Sequence, residues 1–78
     1  MASLRLFGPA RQAAGVGRID VSGHTVQQVL ASAESLFGED FAEVVAVSRI
    51  WVNGESATAQ APVTEMDEVA VIPPVSGG

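Results

Sequence analysis

One segment of the chain carries apolar residues at helical spacing, and segments of alternating character flank it on both sides. Its apolar residues fall at i, i+3, i+4, i+7 and i+11: Val26, Val29, Leu30, Ala33 and Phe37. Thr25 and Gln28 have the spacing of a capping box, and Gly38 is the residue type that commonly follows the last turn. This pattern predicts a helix over 25–37. Because its apolar face must be covered, the flanking segments are expected to form a sheet.

Four segments, 3–7, 18–22, 48–53 and 68–72, alternate apolar and polar residues, which predicts half-buried strands. Asn53-Gly54 predicts a tight hairpin, since a type I′ turn needs positive φ at both central positions, and a short strand near 55–59 should follow. The predicted fold is therefore α+β, a mixed sheet packed on one main helix. The predicted core is Leu4, Leu6, Ile19, Val21, Val26, Val29, Leu30, Ala33, Phe37, Ile50, Val52, Val69 and Val71.

Two further segments give weaker patterns. Residues 10–15 are interpreted as a turn or a single helical turn after Gly8-Pro9, which ends the first strand because proline cannot donate a ladder hydrogen bond. Asp40 and Glu43 have capping spacing, and they predict a second short helix that carries Phe41, Val44 and Val45. His24, which precedes the main helix, is interpreted as a surface loop residue.

The composition excludes several function classes. There is no Cys, Lys or Tyr and a single His, so disulfides, thiol nucleophiles, Schiff bases and multi-histidine metal sites are ruled out. The net charge of −5 argues against nucleic acid, whose binding relies on cationic side chains. No apolar stretch approaches the roughly 18 residues of a membrane span, and no basic segment followed by an apolar block begins the chain. We expect a cytoplasmic protein that is not catalytic alone.

The segment 73–78, Pro-Pro-Val-Ser-Gly-Gly, is the most informative stretch. Two prolines favour an extended exit from the last strand, and two glycines present no side chain, so a carboxylate there can enter a narrow channel. An adenylating enzyme needs such access in order to bring a carboxylate to the α-phosphate of ATP. The alternative is a floppy tail or a truncation point. The predicted organisation is a domain over 1–74 and a flexible tail over 75–78.

Stretches over essentially the whole chain resemble the MoaD-type sulfur carriers, the small subunits of molybdopterin synthase in the ubiquitin-like β-grasp family that also contains ThiS. The resemblance rests on Leu-Phe-Gly-Pro-Ala-Arg-Gln-Ala-Ala-Gly at 6–15, Thr-Val at 25–26, Val-Asn-Gly-Glu at 52–55 and Asp-Glu-Val-Ala-Val-Ile-Pro-Pro-Val-Ser-Gly-Gly at 67–78. The first and last of these are the specific ones. One departure is Met66, where the family commonly has glycine. We expect that Asp67 takes the positive φ or that the turn type differs.

The resemblance implies a carrier function at the end of the chain. The carboxylate of Gly78, next to Gly77, would be adenylated by an E1-like enzyme of the MoeB type and converted to a thiocarboxylate with sulfur from a donor protein. Magnesium and ATP would be bound by that enzyme, and this chain would bind no cofactor or metal itself. The tail would then enter the large catalytic subunit, of the MoaE type, in a heterotetramer. The alternatives are sulfur delivery for thiamine, cysteine or tRNA thiolation, a protein modifier, or a non-covalent β-grasp module.

The alternation also predicts a partner surface on the sheet face that points away from the helix. Arg5, Phe7, Arg49, Trp51, Ala70 and Ile72 share the parity of this face. Its apolar character favours docking, with coverage by the chain's own loops as the alternative. Arg11 is expected either to contact an acid of a partner or to hold the loop 8–17, and the acidic run 65–68 is either solvated or a docking patch. The candidate partner-binding residues are Phe7, Arg11, Arg49, Trp51, Ile72, Pro74, Val75 and Ser76.

Overall fold

The structure is a computed structural model, and it describes residues 1–73. Five strands and three helices follow one another within these residues. They are β1 (Ala2–Leu6), α1 (Gly8–Ala14), β2 (Arg18–Val21), α2 (Val26–Phe37), α3 (Glu39–Val47), β3 (Arg49–Val52), β4 (Glu55–Ser56) and β5 (Glu68–Ile72). None of the helices in this part of the chain has both the length and the apolar character that crossing a membrane requires.

The five strands form one mixed sheet in the order β2-β1-β5-β3-β4. The two central strands, β1 and β5, run parallel, and every other neighbouring pair is antiparallel. A parallel pair needs a long crossover connection, and the helices supply it here. The prediction of an α+β fold with a mixed sheet is confirmed.

Strand register confirms which side chains face the core. Leu4 lies opposite Ile19 on one side and Val69 on the other, and Val69 lies opposite Val52. Leu4 and Val69 are completely buried, whereas Ile19 and Val52, nearer the sheet edges, are half-buried. Among these four facing residues, solvent exposure is therefore lowest in β1 and β5, the parallel pair in the middle of the sheet.

The main helix begins and ends as the sequence indicates, with one difference at its start. Thr25 is the N-cap, and its side-chain oxygen accepts a hydrogen bond from the backbone N–H of Gln28 at 3.2 Å. Gln28 Oε1 does not accept from the N–H of Thr25, as a capping box would require, but from that of His24 at 2.8 Å. His24 is exposed, as predicted, and Gly38 follows the last turn.

The other helices are longer than predicted. Residues predicted as a turn or one helical turn lie in the seven-residue α1, and the second short helix extends to nine residues. The predicted cap at Asp40 is wrong, because α3 has Gly38 as its N-cap and no capping side chain. Phe41 is fully buried, with its ring centroid 5.1 Å from that of Phe37. Among the described residues, five that are buried are absent from the predicted core: Ala2, Ala10, Phe41, Val45 and Val63.

The predicted hairpin turn is confirmed. Asn53 and Gly54 have φ of 51° and 84°, and they connect Val52 directly to Glu55 in the ladder. The strand after the turn is only two residues long, shorter than the predicted 55–59, since β4 includes Glu55 and Ser56 alone.

Candidate functional site

The sheet face opposite the helices carries the predicted candidate residues in register. Arg5 lies opposite Ala70 in β5, and Ala70 lies opposite Trp51 in β3. Because facing residues of neighbouring strands project to the same side, Arg5 and Trp51 share a face with the small Ala70 between them. The sequence prediction of which residues lie on this face is therefore confirmed for these three.

A second group lies next to this row. Ile72 is opposite Arg49, and Phe7 follows β1 with extended backbone (φ −129°, ψ 151°), which continues the alternation of Arg5. The Arg5 guanidinium carbon is 5.4 Å from the centroid of the Phe7 ring, a cation–π distance. We call Arg5, Phe7, Arg49, Trp51 and Ile72 the open-face patch. The described loops do not cover it, since Phe7 is 40% exposed and Arg49 is exposed.

The open face is more basic than the chain as a whole. Of the four arginines, Arg5, Arg18 and Arg49 belong to it by register, whereas the chain carries a net charge of −5. The acids of this face are Asp20 and Glu68. Arg5 is 3.9 Å from Glu68, but both side chains are largely solvated, so the ion pair contributes little to stability. The arrangement is an apolar centre with cationic groups around it, which is a surface suited to binding.

Arg11 lies on α1 beside Gly17. A Cβ built on Gly17 would be 3.3 Å from Arg11 Nε, and the carbonyl of Gly17 accepts a hydrogen bond from the N–H of Leu6 at 2.9 Å. The long side chain therefore packs along the segment that returns the chain from α1 to β2. This contact favours the loop-holding role for Arg11, and contact with a partner's acid stays a prediction.

Asp67 holds two loops together, a role that the sequence analysis missed. Its carboxylate accepts hydrogen bonds from the backbone N–H of Thr64 at 2.8 Å and from Asn53 Nδ2 at 2.8 Å. The Thr64 backbone hydrogen bond, followed by the Asn53 side chain, lowers the pKa of Asp67 below its usual range. Thr64 and Asp67 have the spacing of a capping box, in which the later side chain reaches back to the backbone N–H of the earlier residue, and this spacing is the signal that could have indicated the role.

The turn before β5 accommodates Met66 without strain. Among residues 1–73, Asn53 is the sole non-glycine residue with positive φ, so neither Met66 nor Asp67 has the conformation that would favour glycine. The N–H of Asp67 donates to the carbonyl of Thr64 at 3.0 Å, which closes the turn. The expectation of positive φ at Asp67 is wrong, and the other expectation, a turn type that differs from that of the family, stays a prediction.

The acidic run 65–68 is not a uniform patch. Asp67 is used within the fold, Glu68 faces Arg5, and Glu65 lies 3.8 Å from the N-terminal amine. These separate roles weaken the hypothesis of a docking site for a basic partner. Within the described part of the chain, no group of three histidine, aspartate or glutamate side chains is arranged to hold a metal ion.

The last described residue, Pro73, packs on the turn that begins α1. A Cβ built on Gly8 would lie 3.1 Å from Cγ of the Pro73 ring, and Gly8 has a φ of +54°. The positive φ favours glycine at position 8, and a side chain there would also force the Pro73 ring to move by a few tenths of an ångström. The contact orients the chain where it leaves β5, directly after Ile72 of the open-face patch. Five of the predicted site residues lie outside the described residues: Pro74, Val75, Ser76, Gly77 and Gly78. The predicted tail 75–78 and the final residue of the predicted domain also lie outside them.

Comparison with known proteins agrees with this architecture. The ThiS family model matches residues 4–78. The structure of SAMP1 from Haloferax volcanii is 31% identical, covers 99% of this chain and 98% of its own, and gives a TM-score of 0.75. A putative molybdopterin converting factor subunit 1 from Pyrococcus furiosus is 28% identical over 95% of this chain and 97% of its own, with a TM-score of 0.79.

A third structure resembles the chain in fold alone. It is the complex of subunits 1 and 2 of the molybdopterin-converting factor from Helicobacter pylori 26695, at 22% identity over 99% of this chain and 97% of that chain, with a TM-score of 0.73. No curated protein sequence matches significantly. The β-grasp arrangement expected from the sequence is confirmed by these likenesses.

Proposed function

The chain belongs to the ThiS family, whose ubiquitin-like fold is that of sulfur carriers, and from this premise we propose that it carries sulfur for molybdopterin synthesis as the small subunit of molybdopterin synthase. The observation that carries the proposal is the match of the family model through Gly77 and Gly78. The 28% identity with the molybdopterin converting factor subunit 1 of Pyrococcus furiosus supports this pathway.

The proposed reaction uses the carboxylate of Gly78. One carboxylate oxygen attacks the α-phosphorus of ATP on an E1-like enzyme of the MoeB type, and pyrophosphate leaves. Hydrosulfide supplied by a donor protein then attacks the acyl carbon and loses its proton, and AMP leaves with the carboxylate oxygen that it had gained. The product is a thiocarboxylate, so a chain without cysteine can still hold a transferable sulfur.

This chain contributes position rather than catalytic groups. The carboxylate must approach an anionic phosphate, and the tail 74–78 carries no cationic side chain that could offset the repulsion. Magnesium and cationic groups of the activating enzyme have to supply that stabilisation. The chain provides a fold that docks on the enzyme and a terminus without side chains. Together they position the carboxylate for the reaction.

We assign the open-face patch to the docking of the large subunit, of the MoaE type, in a heterotetramer. Trp51 and Ile72 are half-buried and Phe7 is exposed. A partner that covers them would remove their remaining apolar surface from water. Arg5 and Arg49 lie beside them, and they fit a partner surface with carboxylates around an apolar centre. The contact between Gly8 and Pro73 places the exit of β5 beside the same patch.

Intact-mass spectrometry tests the carrier function. The full chain is incubated with ATP, magnesium, an E1-like enzyme and a sulfide source. We expect its mass to increase by the difference between one sulfur and one oxygen atom, and this increase to disappear in a variant that lacks Gly78. Gly77→Val should also abolish the gain by blocking a narrow channel. A mass that never changes with any E1-like enzyme, or continued cofactor synthesis by the shortened chain, would overturn the proposal.

A second candidate is a protein modifier, which the 31% identity with SAMP1, a small archaeal modifier protein, favours. Activation would be the same, but the acyl group of Gly78 would pass to a lysine amine of another protein. The chain has no lysine, so it could not extend chains on itself. A conjugate of higher mass formed without a sulfur donor would favour the modifier, whereas a free thiocarboxylate would favour the carrier.

A further inference from the structure

Within residues 1–73, the outer edge of β2 leaves backbone groups without partners. Arg5 lies opposite Arg18 in the register of β1 and β2, and directly after this pair the N–H of Leu6 donates to the carbonyl of Gly17 at 2.9 Å. In an antiparallel ladder hydrogen-bonded pairs alternate with non-bonded pairs, so the backbone groups of Ile19 point towards β1. Those of Arg18 and Asp20 consequently point away from the sheet. Among the described residues, no backbone hydrogen bond from outside the sheet occupies them.

The charged side chains along the outer edge of β2 can pair with those of the same edge in a second copy of the chain. Arg18 and Asp20 are both exposed and both project from the open face, one on each side of Ile19. If a second copy of the strand lies antiparallel with Ile19 opposite Ile19, Arg18 of each copy falls opposite Asp20 of the other. These are also the residues whose backbone groups point outwards, so each of the two pairs can exchange two hydrogen bonds.

We propose that β2 is a homodimer interface in which two copies of this chain pair edge to edge about a two-fold axis at Ile19. The two sheets then form one continuous sheet with the open faces on the same side. Each interface patch meets its own counterpart, which is the geometry that closes a two-fold dimer. The two Ile19 side chains, half-buried in the monomer, meet on the core side at a non-hydrogen-bonded pair, where side chains approach closely.

The charges of Arg18 and Asp20 favour the register in which the two-fold axis lies at Ile19. Moving the axis by one residue, to Asp20, would place two carboxylates opposite each other, and like charges at directly facing positions are destabilising. The monomer already contains one such conflict, because Arg18 faces Arg5 across the ladder. Arg18 donates from Nε to Ser3 Oγ at 3.0 Å but has no carboxylate within ion-pair distance among the described residues. An Asp20 side chain from a second copy supplies that carboxylate.

Sedimentation equilibrium of the full chain, from micromolar to millimolar concentration, tests the dimer. The small interface predicts weak association, so the dimer fraction should increase with concentration and decrease as salt screens the two ion pairs. Arg18→Glu and Asp20→Arg each turn both attractive pairs into repulsive ones. Each variant alone should therefore associate at least about tenfold more weakly than the wild type.

An equimolar mixture of the two variants provides the decisive control. In the mixed dimer the introduced glutamate faces the introduced arginine, and the native Asp20 of one chain faces the native Arg18 of the other. Both pairs become attractive again, so association should return to the wild-type level. Both positions are exposed, and circular dichroism checks that each variant is folded. A wild-type chain that stays monomeric at millimolar concentration overturns the proposal. So does a dimer that both single variants retain, or one that their mixture fails to restore.

Discussion

Asn53 and Asp67 join the turn between β3 and β4 to the turn that precedes β5. Asn53 Nδ2 donates to Asp67 Oδ1 at 2.8 Å, and Asn53 Oδ1 accepts from the backbone N–H of Glu68 at 2.9 Å. The same carboxylate closes the turn from Thr64. Two residues that are 14 positions apart thus hold the start of β5, the strand that leads to the proposed carrier segment.

Asp67→Asn should make the stability of the protein less dependent on pH in the acidic range. The pKa of Asp67 is lowered in the folded state, so the carboxylate's contribution is complete above its unfolded pKa of about 3.9 and is lost as the pH falls through the folded pKa. Chemical denaturation at a series of pH values should therefore show wild type more stable near pH 7, with the difference shrinking below about pH 4.

The matched control for this experiment is Glu65→Gln, which changes an exposed carboxylate two residues away that is 3.8 Å from the N-terminal amine. It should leave the acid dependence close to that of wild type, because its ion pair is solvated. Parallel pH profiles of wild type and Asp67→Asn would contradict the assignment of Asp67 as the group that holds the two turns.

Trp51→Ala should weaken binding of the large subunit by about 30-fold or more, because a large aromatic residue at an interface centre typically contributes at least about 2 kcal/mol. Isothermal titration calorimetry on protein confirmed as folded gives the affinity. Met66→Ala is the control, since Met66 is 88% exposed and lies outside the open-face patch. Equal affinities for wild type and Trp51→Ala would exclude the patch as the docking surface.

Gly8→Ala should impair sulfur loading of the chain more than its stability explains. Gly15→Ala provides the matched control, because Gly8 and Gly15 both have positive φ, but a Cβ at position 15 meets no atom within 4 Å whereas one at position 8 meets the Pro73 ring at 3.1 Å. Backbone strain of about 1 kcal/mol or somewhat more should be common to both variants.

The measurement compares the rate of thiocarboxylate formation with the unfolding midpoint of each variant. We expect similar losses of stability and a clearly slower rate for Gly8→Ala alone, since only this variant moves the point where the chain leaves β5. Equal rates in the two variants would mean that the contact with Pro73 does not position the tail.

Phe41→Ala should destabilise the protein by about 3–5 kcal/mol, because it removes a fully buried ring from the helical side of the core. Phe37→Ala, which removes the half-buried neighbour at a ring-centroid distance of 5.1 Å, should cost less. Denaturant unfolding of both variants gives the comparison. A smaller loss for Phe41→Ala than for Phe37→Ala would show that α3 is not an integral part of the core.

Local pattern was sufficient to predict α2, the strands β1, β2, β3 and β5 and the Asn53-Gly54 turn. In these segments the physical determinants are near neighbours in the chain. A period of two places Leu4 and Arg5 on opposite faces, and a cap at Thr25 and a stop at Gly38 delimit the helix. The open-face patch followed from the same alternation, because facing residues of adjacent strands must share a face once one side of the sheet is buried.

Tertiary structure alone decided the features that depend on residues far apart in the chain. Val63 is buried because other elements cover it, and no periodicity of its own segment distinguishes it. In the sequence Asp67 is one acid in a charged run, and only the fold brings Asn53 within hydrogen-bond distance of it. The outward backbone groups of β2 exist only because the sheet order places that strand at an edge, an outcome of long-range pairing that no local sequence pattern encodes.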